Sequence, residues 1–295
     1  MELRRNDSSR AGLGAAKLIA LAICIGIGLA LVIANVRSWQ LEDADAYWNA
    51  AMRLRHGLPL YIPVDPANLP AVYRYGPWLA WLWVPLTLLP KGLVQVGWSI
   101  ALVAASALAV VPLARLRTVA AFCLVALLGG LLFRTASTGN VHAILVATLV
   151  YGVPRRSGPI WIGIAASLKF APIVYSLVYL GRGEWQRAAI AFVVSGALLA
   201  PALFYGLSGY PVDVGESLSL LSLAGPIQWV VLAVAGTAVV VGLARRRYAW
   251  AAASVAVLLA IPKLLLYDLT YLLVGLAEPH RSSSSRALPP GELVP

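Results

Sequence analysis

Charged side chains are scarce in this sequence of 295 residues, of which Asp, Glu, Lys and Arg together make up 12%. Soluble globular domains contain about 25% of these four residues. Hydrophobic residues reach 60% instead, and the mean hydropathy is +0.81. This composition excludes a soluble globule with a polar surface, and it indicates that lipid is the solvent of the folded chain.

Acidic residues are the rarer of the two charged classes, with 12 Asp and Glu against 23 Lys and Arg, so the net charge is +11. A strongly basic chain can be a nucleic-acid binder when its charges gather on one face. Here the basic residues stand singly or in short clusters between apolar runs. We therefore interpret them as signals of membrane topology and expect no nucleic-acid partner.

Cysteine is also rare, since Cys24 and Cys123 are the two in the chain, and each lies inside an apolar run. Their spacing indicates neither a disulfide framework nor a Cys/His metal site. The sequence also lacks a Walker loop, a dinucleotide glycine fingerprint and a serine-centred nucleophile elbow. A soluble nucleotide donor is poorly supported, and no cofactor or metal site is expected, although a divalent metal stays an open alternative.

Long apolar runs separated by short polar breaks fill most of the chain. A bilayer core of about 30 Å needs roughly 20 apolar residues for one helix to cross it. The run from Ala15 to Val36 is too long for the core of a signal peptide, so it predicts an uncleaved first helix. We expect an all-α, polytopic transmembrane helical bundle in the cell membrane. Its predicted parts are a cytoplasmic N-terminus (residues 1–14), a transmembrane domain (15–277) and a disordered tail (278–295).

The longest polar stretch, residues 37–76, contains a third of the acidic residues of the chain. These acids are Glu42, Asp43, Asp45 and Asp65. With the N-terminus in the cytoplasm, this loop lies on the outer side of the membrane. Residues 43–56 predict an interfacial helix within the loop, because Ala44 and Tyr47 share one face at helical spacing and Gly57 follows as a stop signal.

Two carboxylates in this loop, Asp43 and Asp45, are candidate catalytic bases. They lie at the outer end of the first helix, where water can meet a buried cavity, and a general base needs such a place. The alternative is structural, since an Asp at the start of a helix often accepts hydrogen bonds from free backbone N–H groups. The residues alone leave both interpretations open.

Basic residues interrupt the apolar sequence at three later breaks. The breaks contain Arg134 with Asn140 and His142, Lys169 with Pro172, and Lys263 with Tyr267 and Asp268. A charge within the membrane needs a partner or a polar cavity. One interpretation is an anionic ligand shared by the three breaks. The other is mutual neutralisation with Asp43, Asp45 or Asp268, for which a pair of Lys263 with Asp268 is the simplest case.

A further cation, Arg74, stands between Tyr73 and Tyr75 at the end of the first loop. A guanidinium held by aromatic rings suits a phosphate, which it can bind through two parallel hydrogen bonds. Anchoring at the membrane interface is the alternative, because Tyr and Arg are common there.

Four apolar runs in the middle of the chain are too short to cross the hydrocarbon comfortably. They cover residues 119–133, 141–153, 160–168 and 173–180. The first two runs form one pair and the last two form another. Each pair is either a hairpin, with basic residues at its open end and a polar turn at the membrane centre, or two tilted spans. The sequence leaves this choice open.

Short polar and aromatic segments follow one another in a characteristic order along the chain. In the first loop and shortly after it they are Asp43-Ala-Asp-Ala-Tyr-Trp-Asn, Gly57-Leu-Pro-Leu-Tyr, Tyr73-Arg-Tyr-Gly-Pro and Pro85-Leu-Thr-Leu-Leu-Pro. Further along they are Gly139-Asn140, Leu168-Lys169-Phe-Ala-Pro and Pro262 through Tyr267-Asp268. Their order and spacing, from about Trp39 to Leu272, resemble glycosyltransferase family 87.

Members of that family are multispanning enzymes of the GT-C type that take mannose from a polyprenyl phosphate. The resemblance implies a GT-C-like fold and an inverting transfer from a polyprenyl-phosphate sugar, with mannose expected, to a lipid-linked or glycan acceptor. The expected partners are this donor, this acceptor and membrane lipid, and the expected active site lies on the outer face of the membrane.

The resemblance also implies roles for single residues. Asp43 matches the family's first-loop aspartate, the expected base, and Asp45 is the second candidate. The cations expected at the donor phosphate are Arg74, Lys169, Arg134 and Lys263. The residues expected to contact substrate are Tyr47, Tyr73, Tyr75, Asn140, His142, Tyr267 and Asp268.

The chain also departs from the family pattern. The glutamine of a Gly-Gln-x-Asn break is missing at Gly139-Asn140, Gly76 stands where a proline is usual, and the chain is shorter than typical members. A catalytically degenerate member is therefore one alternative. A membrane transporter or lipid flippase is another, since it also needs charged residues and broken helices at membrane depth. A non-catalytic scaffold is the third.

Overall fold

The computed structural model describes residues 3–62, 72–111, 118–205 and 220–276, without the side chains of residues 3–14, 220 and 222. Every regular element in these ranges is a helix, which confirms the predicted all-α class. The α-helices are α1 (Leu3–Arg37), α2 (Glu42–Arg55), α3 (Pro77–Trp83), α4 (Lys91–Val110), α5 (Val119–Ser137), α6 (His142–Gly152), α7 (Gly158–Leu168), α8 (Ser176–Arg182), α9 (Trp185–Leu199), α10 (Leu220–Ala224), α11 (Pro226–Leu243), α12 (Ala249–Ala260) and α13 (Leu272–Leu276). Short 3₁₀ segments cover Pro85–Leu88, Ala171–Tyr175, Ala200–Tyr205 and Leu266–Tyr271.

Two predicted segments lie at the ends of the chain. The predicted disordered tail, residues 278–295, falls outside the described residues. The side chains of the predicted cytoplasmic segment, residues 1–14, fall outside them as well.

Of the described helices, five are long and apolar enough to cross a membrane. They are Ala15–Arg37, Lys91–Val110, Val119–Ser137, Trp185–Tyr205 and Pro226–Leu243. Only 6% of the Pro226–Leu243 helix is buried inside the protein, so the apolar side chains of this helix lie on the outer surface. A bilayer requires such a surface, with the backbone hydrogen bonds closed within each helix. The predicted polytopic helical bundle is thereby confirmed.

Helix α5 is longer than the sequence pattern predicts. We expected residues 119–133 to be too short to cross the hydrocarbon, which is wrong, because α5 continues to Ser137 and has 19 residues. The hydroxyl of Thr135 donates to the carbonyl of Leu132 over 2.6 Å, and that of Ser137 donates to the carbonyl of Arg134 over 2.8 Å. These bonds satisfy the hydroxyl groups within the helix, so the polar turn continues it.

Helices α6, α7 and α8 are short, with 11, 11 and 7 residues. At about 1.5 Å per residue, 11 residues cover roughly 16 Å, about half of the hydrocarbon thickness. Basic residues meet at one end of these helices, where a guanidinium nitrogen of Arg187 donates to the carbonyl of Arg155 over 3.2 Å. The polar breaks at residues 138–141 and 169–175 lie at the other ends. The basic residues and the polar breaks therefore lie at opposite ends of these short helices.

Helix α2 is anchored to the end of α5. The backbone N–H groups of Leu41 and Asp43 donate to the carbonyl oxygens of Ser137 and Thr138 over 3.1 and 2.9 Å. Leu41 turns the chain into α2 with a φ of 53°, a left-handed conformation that costs a non-glycine residue about 1–2 kcal/mol. The predicted inner face of the helix is buried, with Tyr47 fully inside. The helix predicted within the first loop is therefore confirmed.

Candidate active site

Asp43 is the second residue of α2, and its side chain is half-buried. The side-chain amide of Asn140 donates a hydrogen bond to Oδ2 of Asp43 over 3.0 Å. Asn140 lies in the break between α5 and α6, so this bond joins the first loop to that break. The structure therefore brings together two of the residues that the sequence singles out.

Gly139 makes this approach possible. It has a φ of +79°, which favours glycine, and a Cβ at this position would lie 2.8 Å from Cβ and 2.9 Å from the backbone N of Ala44. The backbone of the break thus packs directly on α2. The carbonyl of Gly139 also accepts a hydrogen bond of 2.8 Å from the indole of Trp98 on α4, which holds the break from the other side.

The amide of Asn140 has a defined orientation. Its Oδ1 accepts a hydrogen bond of 2.9 Å from the backbone N–H of His142 at the start of α6. A backbone N–H can only donate, so the amide oxygen faces His142 and the NH₂ group faces Asp43. Asn140 therefore holds the Asp43 carboxylate through its NH₂ group, and its expected contact with substrate stays a prediction.

Burial raises the pKa of the Asp43 carboxyl above its ordinary value, while the hydrogen bond from Asn140 and the positive charge of Lys169 counteract part of this effect. A carboxylate with a raised pKa is a stronger base than an exposed one. Burial and the negative charge of Asp43 also raise the pKa of the Tyr75 phenol. Asp43, Tyr75 and Lys169 thus act on one another electrostatically.

Lys169 follows α7 and is held by residues from the late break. Its Nζ lies 3.2 Å from Oδ1 of Asp268 and 4.5 Å from the centre of the Tyr267 ring. The other carboxylate oxygen of Asp268 accepts a hydrogen bond of 2.9 Å from the backbone N–H of Leu265. Asp268 therefore neutralises and orients Lys169, so the alternative of mutual neutralisation applies to this pair. The Lys169 side chain as a whole is 22% exposed.

His142 is fully buried beside this pair. Its Nε2 lies 2.8 Å from the hydroxyl of Thr270, and that hydroxyl donates its proton to the carbonyl of Tyr267 over 2.6 Å. Nε2 is then the donor to Thr270, because the hydroxyl has one hydrogen. Nδ1 faces Oδ1 of Asp268 at 4.0 Å and has no hydrogen-bond partner among the described residues. His142 supports the late break from inside.

The three tyrosines expected to contact substrate differ in their surroundings. Tyr47 is fully buried against the rings of Tyr73, Tyr75, Trp83 and Trp98, and its hydroxyl accepts from the backbone N–H of Val141 over 3.2 Å. The hydroxyl of Tyr73 donates to the carbonyl of Gly76 over 2.6 Å. Tyr47 and Tyr73 therefore form an aromatic framework that carries Tyr75 close to Asp43.

The second candidate base, Asp45, has a different environment. Its Oδ1 lies 2.8 Å from Nζ of Lys91 and accepts a hydrogen bond of 2.9 Å from the amide of Gln95, both at the start of α4. Asp45 thus ties α2 to α4 and is already neutralised. Of the two carboxylates, Asp43 is the one that accepts a hydrogen bond from Asn140 and interacts electrostatically with Lys169.

The other expected cations are spread over three places. Arg134 is exposed in the last turn of α5. Lys263 is half-buried in the segment that follows α12, and Arg74 is half-buried beside Tyr75. The sequence analysis missed Thr270, which holds His142, and it did not predict the contact between Gly139 and Ala44. The glycine of the Gly139-Asn140 break was the available signal for this close contact.

A cavity of about 450 Å³ lies beside α2, between this helix and the extended segment that follows it. It is lined by Ala46, Asn49, Ala50, Met52, Arg53, His56, Leu58, Leu60, Ile62, Val72 and Tyr73. Neither Asp43 nor Lys169 is among these residues, so the cavity does not include these two side chains.

Within the described part of the chain, no group of three or more His, Cys, Asp or Glu side chains has the arrangement of a metal site.

The fold and the cluster define a class of protein: a multispanning helical membrane protein with a half-buried carboxylate and a lysine held where short helices break. The sequence model of glycosyltransferase family 87 matches residues 73–213, just under half of the chain. This range includes Tyr75, Asn140 and Lys169, begins after Asp43 and ends before Asp268. Comparison with curated proteins gave no match, and comparison with solved structures gave none.

Proposed function

We propose that the chain is a membrane glycosyltransferase that transfers a sugar, with inversion, from a polyprenyl phosphate to a hydroxyl group. The observation that carries this proposal is the convergence of Asp43, Asn140 and Lys169 from three separate parts of the sequence into one site. The match of residues 73–213 to glycosyltransferase family 87 supports the same activity.

Asp43 is the base in this proposal. The acceptor oxygen attacks the anomeric carbon of the sugar, the bond from that carbon to the phosphate oxygen breaks, and Asp43 takes the proton of the acceptor hydroxyl. A single displacement of this kind inverts the anomeric centre. Asp43 suits the role because burial raises the pKa of its carboxyl while Asn140 keeps one of its oxygens fixed.

Lys169 stabilises the departing phosphate. An ammonium group has three N–H donors, and the contact with Asp268 uses one of them. Because Asp268 also offsets the charge of Lys169, a second cation is needed to balance the phosphate. We assign this role to Arg74, which precedes Tyr75 and carries a guanidinium suited to phosphate oxygens. Preorganised donors aimed at developing charge are commonly the largest contribution to catalysis.

Mannose as the sugar, a lipid-linked or glycan acceptor and an active site on the outer face of the cell membrane complete the proposal. They follow from the family resemblance together with the basic N-terminus, which favours a cytoplasmic start. The membrane itself supplies the donor, because a polyprenyl chain partitions into the bilayer that surrounds the helices.

A transporter or lipid flippase is the second candidate. The observation in its favour is the set of short helices α6, α7 and α8, which break near Asn140 and Lys169. Broken helices that present backbone and charged groups to a cavity are a common feature of transporters.

The deciding experiment uses membranes that contain the wild-type chain or the Asp43→Asn variant, incubated with radiolabelled polyprenyl-phosphate mannose. We expect the wild type to form a labelled product and the variant to lose it. Asp45→Asn is the matched control on the same helix, and it should retain transfer. If the Asp43→Asn variant still transfers the sugar, Asp43 is not the base. Uptake of a solute into vesicles without a labelled product would favour the transporter.

A further inference from the structure

Helices α1 and α5 pack unusually closely. A Cβ at Gly28 of α1 would collide with the backbone carbonyl of Ala126 on α5, and a Cβ at Gly130 would lie 3.0 Å from the carbonyl oxygen of Gly28. Small residues of this kind allow the backbones of two membrane helices to touch. Both helices end next to the start of α2, so they run in the same direction.

The two cysteines of the chain lie beside this contact. Cys24 precedes Gly28 by about one turn, and Cys123 precedes Ala126 by about one turn on the facing helix. The close packing of α1 and α5 brings their side chains next to each other. Both are free and half-buried. The tertiary structure therefore pairs two thiols that the sequence keeps far apart.

We propose that Cys24 and Cys123 form a redox-active pair that a lipid-soluble quinone oxidises to a disulfide between α1 and α5. Each thiol gives up its hydrogen, a bond forms between the two sulfur atoms, and the two electrons and two protons reduce the quinone to a hydroquinone. The inference does not depend on the proposed glycosyltransferase activity.

The position of the pair selects the oxidant. Cys24 lies about 14 Å along the helix axis from Ala15, the first residue of the apolar span, so the thiols are near the middle of the bilayer. Exchange with a soluble disulfide requires a thiolate, and hydrocarbon disfavours that charge. A quinone dissolves in the bilayer and reaches the half-exposed side of the pair.

The disulfide has a structural consequence for α2. The end of α5 binds the start of α2 through the N–H groups of Leu41 and Asp43, and α1 leads into the same segment. A covalent bond between α1 and α5 joins the two helices that hold Asp43 in place. Oxidation therefore raises the temperature at which the protein unfolds.

The test uses the full chain in liposomes of neutral phospholipid at a high ratio of lipid to protein. A short-chain ubiquinone is added, excess quinone is removed, and the denatured chain is labelled with N-ethylmaleimide. The intact mass then counts the free thiols. We expect two labels before oxidation, none after it, a monomeric chain, and recovery of both labels with dithiothreitol. Peptide mapping should show the Cys24 peptide joined to the Cys123 peptide.

The matched control moves one thiol to the lipid-facing side of the same helix. Ala22 is exposed on α1, so the double variant Ala22→Cys with Cys24→Ser keeps two cysteines at nearly the same depth. This variant should retain two labels, and Cys24→Ser alone should retain one. The proposal is overturned if the wild-type chain keeps both labels while a free membrane-soluble dithiol in the same liposomes is oxidised. It is also overturned if the disulfides form only between chains or form equally in the Ala22 variant.

Discussion

The side-chain amide of Asn140 donates to Oδ2 of Asp43 over 3.0 Å, between residues 97 positions apart in the chain. This bond joins the first loop to the break between α5 and α6. It fixes one carboxylate oxygen and so restricts the directions from which the carboxylate can accept a proton.

Replacing Asn140 with Ala should lower the turnover of the transferase by about 10- to 100-fold, because a hydrogen bond to a charged group contributes about 1.5–3 kcal/mol. The measurement is kcat for transfer from polyprenyl-phosphate mannose in membranes that contain equal amounts of protein. Ser137→Ala is the control, since that hydroxyl bonds within its own helix. Equal activities of the Asn140 and Ser137 variants would contradict a positioning role for Asn140.

The pH dependence of transfer should report the raised pKa of Asp43. A base must be deprotonated, so activity falls as the pH drops through this pKa, above the ordinary Asp value of about 3.9. The hydrogen bond from Asn140 lowers the pKa of Asp43, so its removal should raise this pKa and move the loss of activity to a higher pH. The comparison is log kcat against pH for wild type and Asn140→Ala, and coincident acid limbs would contradict the assignment.

The folding stability of the protein should depend on the ionisation of Asp43 in the direction opposite to activity, because stability falls as the pH rises through the pKa of this carboxyl. A carboxyl whose pKa is raised by folding contributes stability below its unfolded-state pKa and loses this contribution as the pH rises through the folded-state value. In the pH range in which Asp43 is ionised and can act as a base, the wild-type protein has lost it. Asp43→Asn should therefore be inactive but at least as thermally stable as wild type at the pH of maximal transfer, as measured by thermal unfolding in detergent. A marked loss of stability would indicate that the carboxylate has a structural role.

Replacing Lys169 with Met should destabilise the protein by about 3–5 kcal/mol, because it leaves the carboxylate of Asp268 buried without its partner. The double variant with Asp268→Asn should regain most of the stability, since neither charge is then present. It should remain inactive if Lys169 contacts the donor phosphate. A double variant that is both stable and active would show that the pair is purely structural. The measurements are thermal unfolding and transfer on the same preparations.

Gly139→Ala should destabilise the protein more than Gly57→Ala. Both glycines have a left-handed φ, of +79° and +67°, and a side chain there costs about 1–2 kcal/mol. A Cβ at residue 139 also collides with Ala44, whereas one at residue 57 meets open space. The difference between the unfolding temperatures of the two variants measures the contact. Ala44→Gly should partly rescue Gly139→Ala, and the absence of any difference would contradict the close packing.

Part of the fold could be predicted because hydropathy acts locally. Each run of about 20 apolar residues identifies its own span, and the helix over residues 42–55 follows from its spacing of buried side chains. The length of α5 was misjudged because its last turn is polar in composition, while its hydroxyl groups bond within the helix. A hydropathy pattern counts such groups as a break, and the backbone does not break there.

The sequence allows us to predict which residues belong to the candidate site. It does not allow us to predict which of them contact one another. Asp43 and Lys169 stand out because charges are rare in an apolar chain. Their partners depend on which breaks meet in space. Lys263 is closer to Asp268 in sequence, yet it is Lys169 that forms the ion pair with this carboxylate. Asp45 forms its ion pair with Lys91.

The sequence by itself determined that this protein folds in a membrane as a helical bundle, since transfer of each apolar run into lipid depends on that run alone. Only the tertiary structure decided that Asn140 holds Asp43, that Asp268 holds Lys169 and that Cys24 lies beside Cys123. Such contacts depend on which helices pack together and how closely their backbones approach, and neither hydropathy nor spacing along the chain contains that information.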